Sequence, residues 1–171
     1  TAVMREGNYF LNGNKIFITN GDVADNIVVF ATLNRTQGYK GVSAFIVPND
    51  SPGLEINPQH GKLGMKGSST AELVFKNTPV SASNLLGEEG MGFRYAMEIL
   101  DSSRIVIAAQ CVGIGQSALE SAVRYAQLRE TFGKPIAHHQ GIQFTLADMA
   151  TAVHAARTVT MQAATLKDEG K

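Results

Sequence analysis

A chain of 171 residues can bury a sizeable core and allows one large or two small domains. Lys plus Arg and Asp plus Glu both number 15, and this zero formal charge gives no general attraction to nucleic acid or to an anionic membrane. The single cysteine, Cys111, excludes a disulfide framework. No apolar run comes near the roughly 20 residues of a membrane span, and no signal pattern opens the chain, so the sequence reads as soluble, with neither nucleic acid nor membrane as partner.

The first eighty residues read as strands. Thr1 to Arg5, Tyr9 to Leu11, Lys15 to Thr19, Ile27 to Leu33, Val42 to Val47 and Glu72 to Phe75 are short β-branched or aromatic runs between Gly, Asn, Asp and Pro clusters. Asn12-Gly13 predicts a tight hairpin turn between two of them. Short links predict an antiparallel sheet, barrel-like or sandwich-like. From about Gly90 the period becomes helical, through Phe93, Ala96, Met97 and Leu100 and then Leu119, Ala122, Val123 and Ala126. A second helix follows on Ile142, Leu146, Met149, Val153 and Ala156, with Gly133 and Pro135 breaking the chain between the two. The fold class is α+β: an antiparallel, barrel-like β-domain over 1–87, then long antiparallel helices of an incomplete bundle over 88–171. Such a pair leaves an apolar face that calls for further helices.

The stretches 12–21, 63–70, 100–104 and 129–140, in this order, resemble the acyl-CoA dehydrogenase family across essentially the whole chain. Asn12-Gly13-Asn14-Lys15 with Phe17-Ile18-Thr19-Asn20-Gly21 is similar to its middle-domain flavin segment. Leu63-Gly64-Met65-Lys66-Gly67-Ser68-Ser69-Thr70 resembles the loop that follows. Leu100-Asp101-Ser102-Ser103-Arg104 resembles the start of the first long C-terminal helix, and Arg129 through Gln140 the cofactor clamp between helices.

The resemblance implies FAD as cofactor, held by Phe17, Ile18, Thr19, Arg129, Thr131, Phe132, His139 and Gln140. Phe17 would wall the isoalloxazine while Thr19 donates near N5, since residues i and i+2 share a strand face. Arg129 suits a pyrophosphate through its forked donors, Thr131 adds a hydroxyl, and Phe132 offers a face to adenine. His139 and Gln140 would bond the adenosine end. Asp101, Ser102, Ser103 and Arg104 would contact the acyl-CoA substrate. The implied reaction is α,β-dehydrogenation to a trans-2-enoyl-CoA, closest to the short-chain (butyryl-CoA) branch, with electron-transferring flavoprotein as acceptor. A clamp that reaches a neighbour's flavin implies a homo-oligomer, dimer or tetramer, in a bacterial cytoplasm or mitochondrial matrix. Some relatives place their glutamate base where this chain has Ser103; in others it lies beyond Lys171, so no catalytic residue is expected within the chain, and Glu88, Glu89 and Glu98 match no base position. The expectation is therefore a central piece of the enzyme.

Without the resemblance, Phe17 reads as a core aromatic, Thr19 as a strand former, Arg129 as a cation at a helix C-terminus and Asp101–Arg104 as a polar turn. An oxidase relative and a non-catalytic binding or oligomerisation module are the alternatives. Gly113-Ile114-Gly115-Gln116-Ser117-Ala118 fits a dinucleotide fingerprint but lies in mid-helix, where close helix packing explains it. His138 and His139 are adjacent, His60 and His154 isolated, and no zinc spacing exists.

Overall fold

The computed structural model describes residues 1–170. Its strands are β1 (Ala2–Arg5), β2 (Asn8–Thr19), β3 (Asn26–Thr32), β4 (Val42–Pro48), β5 (Leu54–Pro58), β6 (Thr70–Ser81), β7 (Leu85–Leu86), β8 (Glu130–Thr131) and β9 (Lys134–Pro135). The helices are α1 (Gly92–Leu128) and α2 (Gln140–Asp168). Contacts divide the chain into a β-unit, Thr1–Met97, and a helical unit from Glu98 onward. The first turns of α1 group with the strands because Gly92 lies against the backbone of Ser43 and Ala44, and Phe93 packs on Tyr39.

Two antiparallel sheets, ordered β1-β2-β6-β5 and β3-β4-β7, build the β-unit, confirming the antiparallel expectation as a sandwich without closure. Alternation explains the packing: Ile27, Val29 and Ala31 of β3 point inward, as do Ala71, Leu73 and Phe75 of β6. All of these but Ala71 join Tyr9, Leu11, Phe45 and Val47 in one core, where the Tyr9 and Phe45 rings stand edge-on at 4.9 Å.

The Asn12-Gly13 hairpin does not form. β2 runs straight through both residues, and the irregularity belongs to β6, where Lys76 and Asn77 occupy the space opposite Asn12. Asn77 has φ +49°, and its backbone N–H donates to Asn12 Oδ1 at 2.9 Å. The tight turn lies earlier, at Glu6-Gly7 (φ +48° and +78°), joining β1 to β2.

In the helical unit, α1 and α2 are antiparallel: Gly115 faces Val153, while Ala109 and Val112 share a groove with Thr160 and Met161. Arg157 Nη2 donates to Gln116 Oε1 at 3.4 Å. Gly115 is the close-approach residue, since a Cβ there would meet Val153 Cγ2 at 3.3 Å. The Gly113–Ala118 fingerprint thus sits within α1, as its helical period requires. Val106, Ile107, Ile114, Phe144, Val159 and Met161 remain exposed, so the pair leaves apolar surface uncovered, as the pattern predicts.

One reading is corrected. By length and composition α1 is apolar enough to cross a membrane. Ile105, Val106, Ile107, Val112 and Ile114 supply most of that apolarity, interrupted at Gln110, Gln116 and Ser117, so a search for an unbroken run misses it.

Candidate cofactor and substrate site

The proposed site residues fall in separate units. In the β-unit, Phe17 sits in a bulge: Lys15 pairs with Leu73 and Ile18 with Ala71, leaving Ile16 and Phe17 opposite Glu72 alone. Phe17 has φ +60°, an outlier for a bulky residue, and its ring is 70% exposed. The bulge breaks the i, i+2 alternation that linked Phe17 to Thr19, so the strand-face argument for that pair does not hold here. What the bulge does instead is turn an aromatic ring out to solvent beside a pinned strand end. Ile18 is half-buried against the core, and Thr19 is exposed and pairs with Thr70.

That strand end is held from the facing loop. Asn20 N–H donates to Ser69 O at 3.1 Å, and Ser69 Oγ donates to Asp22 Oδ1. Gly21 is buried, and a Cβ there would press on Ile18 and Ala71 at 3.2–3.3 Å. Ser69 lies in the stretch 63–70 that the resemblance picked out and Asp22 in none, and nothing local marks their contact across 47 positions.

In the helical unit, Arg129 to Pro135 form a minimal hairpin. Thr131 pairs with Lys134, and the two turn residues, Phe132 and Gly133, have φ +51° and +75°. This is the geometry of a type I′ turn, whose first position normally takes Asn or Gly. Phe132 occupies it with a ring that is 97% exposed. Strain at a solvent-facing aromatic is not offset by burial within this chain. The hairpin base is fixed by Ile136 N–H donating to Arg129 O at 2.8 Å, which leaves the guanidinium on an exposed side chain.

His139 closes the arrangement. It stands at the N-cap of α2 but makes no side-chain capping bond. Its Nε2 instead lies 3.0 Å from Thr131 Oγ1, and its ring meets that of Phe132 edge-on at 6.2 Å. The fold thus gathers Thr131, Phe132 and His139 into one cluster, with Arg129 at its base and Gln140 opening α2. His139, which the resemblance assigns to the adenosine end of FAD, contacts Thr131 through Nε2.

Asp101 to Arg104 lie within α1, well past its start at Gly92. The Ser102 hydroxyl donates to Glu98 O at 3.2 Å and that of Ser103 to Leu100 O at 3.0 Å. Both serine protons are therefore used by the helix, and a ligand meets these hydroxyls as acceptors. Among the described residues no cluster of His, Cys, Asp or Glu could hold a metal ion.

Comparison with known proteins bears on both units. The acyl-CoA dehydrogenase middle domain matches residues 1–78, and the acyl-CoA dehydrogenase C-terminal domain matches residues 90–171. The chain belongs to the acyl-CoA dehydrogenase family. It is 52% identical over 170 residues to an acyl-CoA dehydrogenase of Bacillus subtilis (strain 168), covering 99% of this chain and 45% of that protein. It is 49% identical over 172 residues to the mitochondrial short-chain specific acyl-CoA dehydrogenase of Rattus norvegicus, covering 100% of this chain and 42% of that one. A chain in the structure of the electron transferring flavoprotein of Acidaminococcus fermentans superposes with a TM-score of 0.94 at 50% identity, covering 100% of this chain and 45% of that one. The chain therefore spans less than half the length of these relatives.

Proposed function

We propose that this chain is the middle-domain and C-terminal-domain portion of an FAD-dependent, short-chain acyl-CoA dehydrogenase. The observation that carries the reading is the strained, exposed Phe132 beside the Thr131–His139 pair. A fold that tolerates an aromatic at φ +51° in open solvent has a use for that ring. Adenine stacking is such a use, and the family match supplies the cofactor.

Within this reading each residue has a role set by its chemistry. Arg129 gives paired, charge-assisted bonds to pyrophosphate oxygens, and Thr131 adds a hydroxyl to the same group. Gln140 bonds the adenosine end. Phe17 covers one face of the isoalloxazine, with Ile18 anchoring the strand and Thr19 offering a donor at its edge. Bound FAD supplies the hydride acceptor. Asp101, Ser102, Ser103 and Arg104 line the thioester's path, and no catalytic base is assigned within the chain. We place the functional division at 1–87 and 88–171, where the chain passes from strand to helix. The short-chain assignment is supported by the rat relative, and an electron-transferring flavoprotein as acceptor by the Acidaminococcus structure. A homo-oligomer, dimer or tetramer, in a bacterial cytoplasm or mitochondrial matrix completes the reading.

The test is the visible spectrum of the intact protein, recorded anaerobically before and after butyryl-CoA. A flavin band that bleaches supports short-chain dehydrogenation. An unchanged band sends the search to other thioesters or a non-catalytic role, and absence of flavin refutes the proposal.

A further inference from the structure

Between β5 and β6 the chain passes through a loop that nothing apolar holds in place. A Cβ built at Gly61, Gly64 or Gly67 meets no atom within 4 Å, Leu63 is fully exposed, and Met65 is 79% exposed with φ +51°. Such a glycine-rich stretch pays full conformational entropy for being ordered, with no burial to offset it. Its order comes from polar bonds, and one side chain makes three of them, beside Ser68 N–H to Met65 O and Gln59 N–H to Thr70 O. Lys62 Nζ donates to Met65 O at 3.0 Å, to Ser68 O, and to Thr70 Oγ1 at 3.1 Å. An ammonium has three donors, and all three are used within the loop and on the first residue of β6.

The acceptors sit in a telling place. Ser68 and Thr70 flank Ser69, the residue whose carbonyl receives Asn20 N–H and whose hydroxyl bonds Asp22. Thr70 is also the pairing partner of Thr19. One cation thus brackets the residue that pins the end of β2, immediately after Phe17-Ile18-Thr19. An ordinary surface lysine spends its charge in water; this one is half-buried and converges on backbone oxygens.

We propose that Lys62 is a positioning residue for the flavin-contacting end of β2, acting through Ser68, Ser69 and Thr70. The proposal rests on reading Phe17–Thr19 as the flavin segment. Removing the ammonium releases the loop, slackens the Ser69 bonds, and lets the Thr19 donor drift from the place where hydride arrives. Because the loop lies outside the core, this loss leaves the sandwich folded. Misplacement of a donor lowers turnover more than it weakens substrate binding, since the geometry matters most in the transition state.

The experiment compares wild type, Lys62→Met, Lys62→Arg and the milder Thr70→Val in the intact flavoprotein, by hydrogen exchange and butyryl-CoA kinetics. In Lys62→Met, exchange should rise at least about tenfold at Leu63–Thr70 and Asn20 but not in β3 and β4. Its kcat should fall about tenfold with KM within about twofold, and the flavin band should shift. Lys62→Arg keeps the charge but exchanges a compact three-way donor for a planar fork, so it should recover only part of the loss. Thr70→Val, which removes one acceptor, should fall between wild type and Lys62→Met. Unchanged exchange at Ser68–Thr70 in Lys62→Met overturns the proposal, as does a loosened loop with unchanged kcat and flavin band. A wild type that binds no flavin overturns the reading beneath it and this proposal together. A flavin-bound wild type with an unaffected Lys62→Met overturns this proposal alone.

Discussion

Thr131 Oγ1 and His139 Nε2 lie 3.0 Å apart, so the hairpin between the helices is tied to the first residue before α2. A hydroxyl and an imidazole in this contact share one proton position: whichever nitrogen state His139 holds decides whether Thr131 donates to it or accepts from it. When the imidazole donates, the threonine proton is free to turn toward a phosphate oxygen. Thr131→Val keeps the shape and removes the hydroxyl. We expect FAD retention to weaken about tenfold, near 1.4 kcal/mol, with little change in apoprotein melting temperature, as one exposed-edge hydrogen bond would give. Flavin release followed by fluorescence measures it; an equal loss of apoprotein stability would make the pair structural.

Phe132 gives the opposite pairing of stability and function. At φ +51° it occupies a turn position that Asn accepts with far less strain, and its 97% exposed ring returns no burial. Phe132→Asn should therefore stabilise the apoprotein, by about 1 kcal/mol, while weakening FAD binding. Thermal unfolding without cofactor and flavin titration read the two arms separately. A variant that binds FAD as well as wild type would remove Phe132 from the adenine site.

These residues show what the sequence could and could not carry. The β3 pattern is legible because Ile27, Val29 and Ala31 alternate and are buried, and the α2 pattern because Ile142, Leu146, Met149 and Val153 keep a helical period along one half-buried stripe. β5 is missed because Leu54 and Ile56 are its only apolar pair and Pro58 ends it. The hairpin at Phe132 is missed for a different reason: no turn rule would place phenylalanine at a positive φ. Motif resemblance singled out Arg129, Thr131, Phe132, His139 and Gln140, but only the fold shows that His139 turns to Thr131 and that Ser69 holds Asn20. Those contacts join distant positions through side chains with no periodic signature.

Tyr9 gives a pH-dependent prediction. Its hydroxyl donates to Glu89 Oε1 at 2.6 Å, tying β2 to the turn before α1. Burial, and then the bond to Glu89, raise its pKa from 10.0 to about 12. Above pH 10 the unfolded chain releases this proton while the folded chain keeps it, so the unfolded state binds fewer protons and stability falls as pH rises. The contribution is fully present below pH 10 and disappears as pH climbs through about 12. Tyr9→Phe should lower stability by about 1–2 kcal/mol at neutral pH and flatten that alkaline decline. Denaturant unfolding of both proteins across this range tests it; parallel declines would assign the alkaline loss to other groups.

Gly92 sets a helix preference against a steric limit. As the first residue of α1 it should gain from alanine, whose helix propensity is better by about 1 kcal/mol. Yet a Cβ here would lie 2.6 Å from the carbonyl carbon of Ser43 and 2.9 Å from the nitrogen of Ala44. Both are backbone atoms of β4, a strand paired with β3 and β7, so no side chain can swing aside. Ser43 Oγ also accepts from Gly90 N–H at 2.9 Å, and displacing α1 would break that buried bond as well. The clash should win: Gly92→Ala is expected to destabilise the protein by about 2–3 kcal/mol, the range of overpacking in a rigid core. A melting temperature equal to or above wild type would show that α1 can lift from β4 at little cost, and that the approach at Gly92 is not what joins the helix to the sandwich.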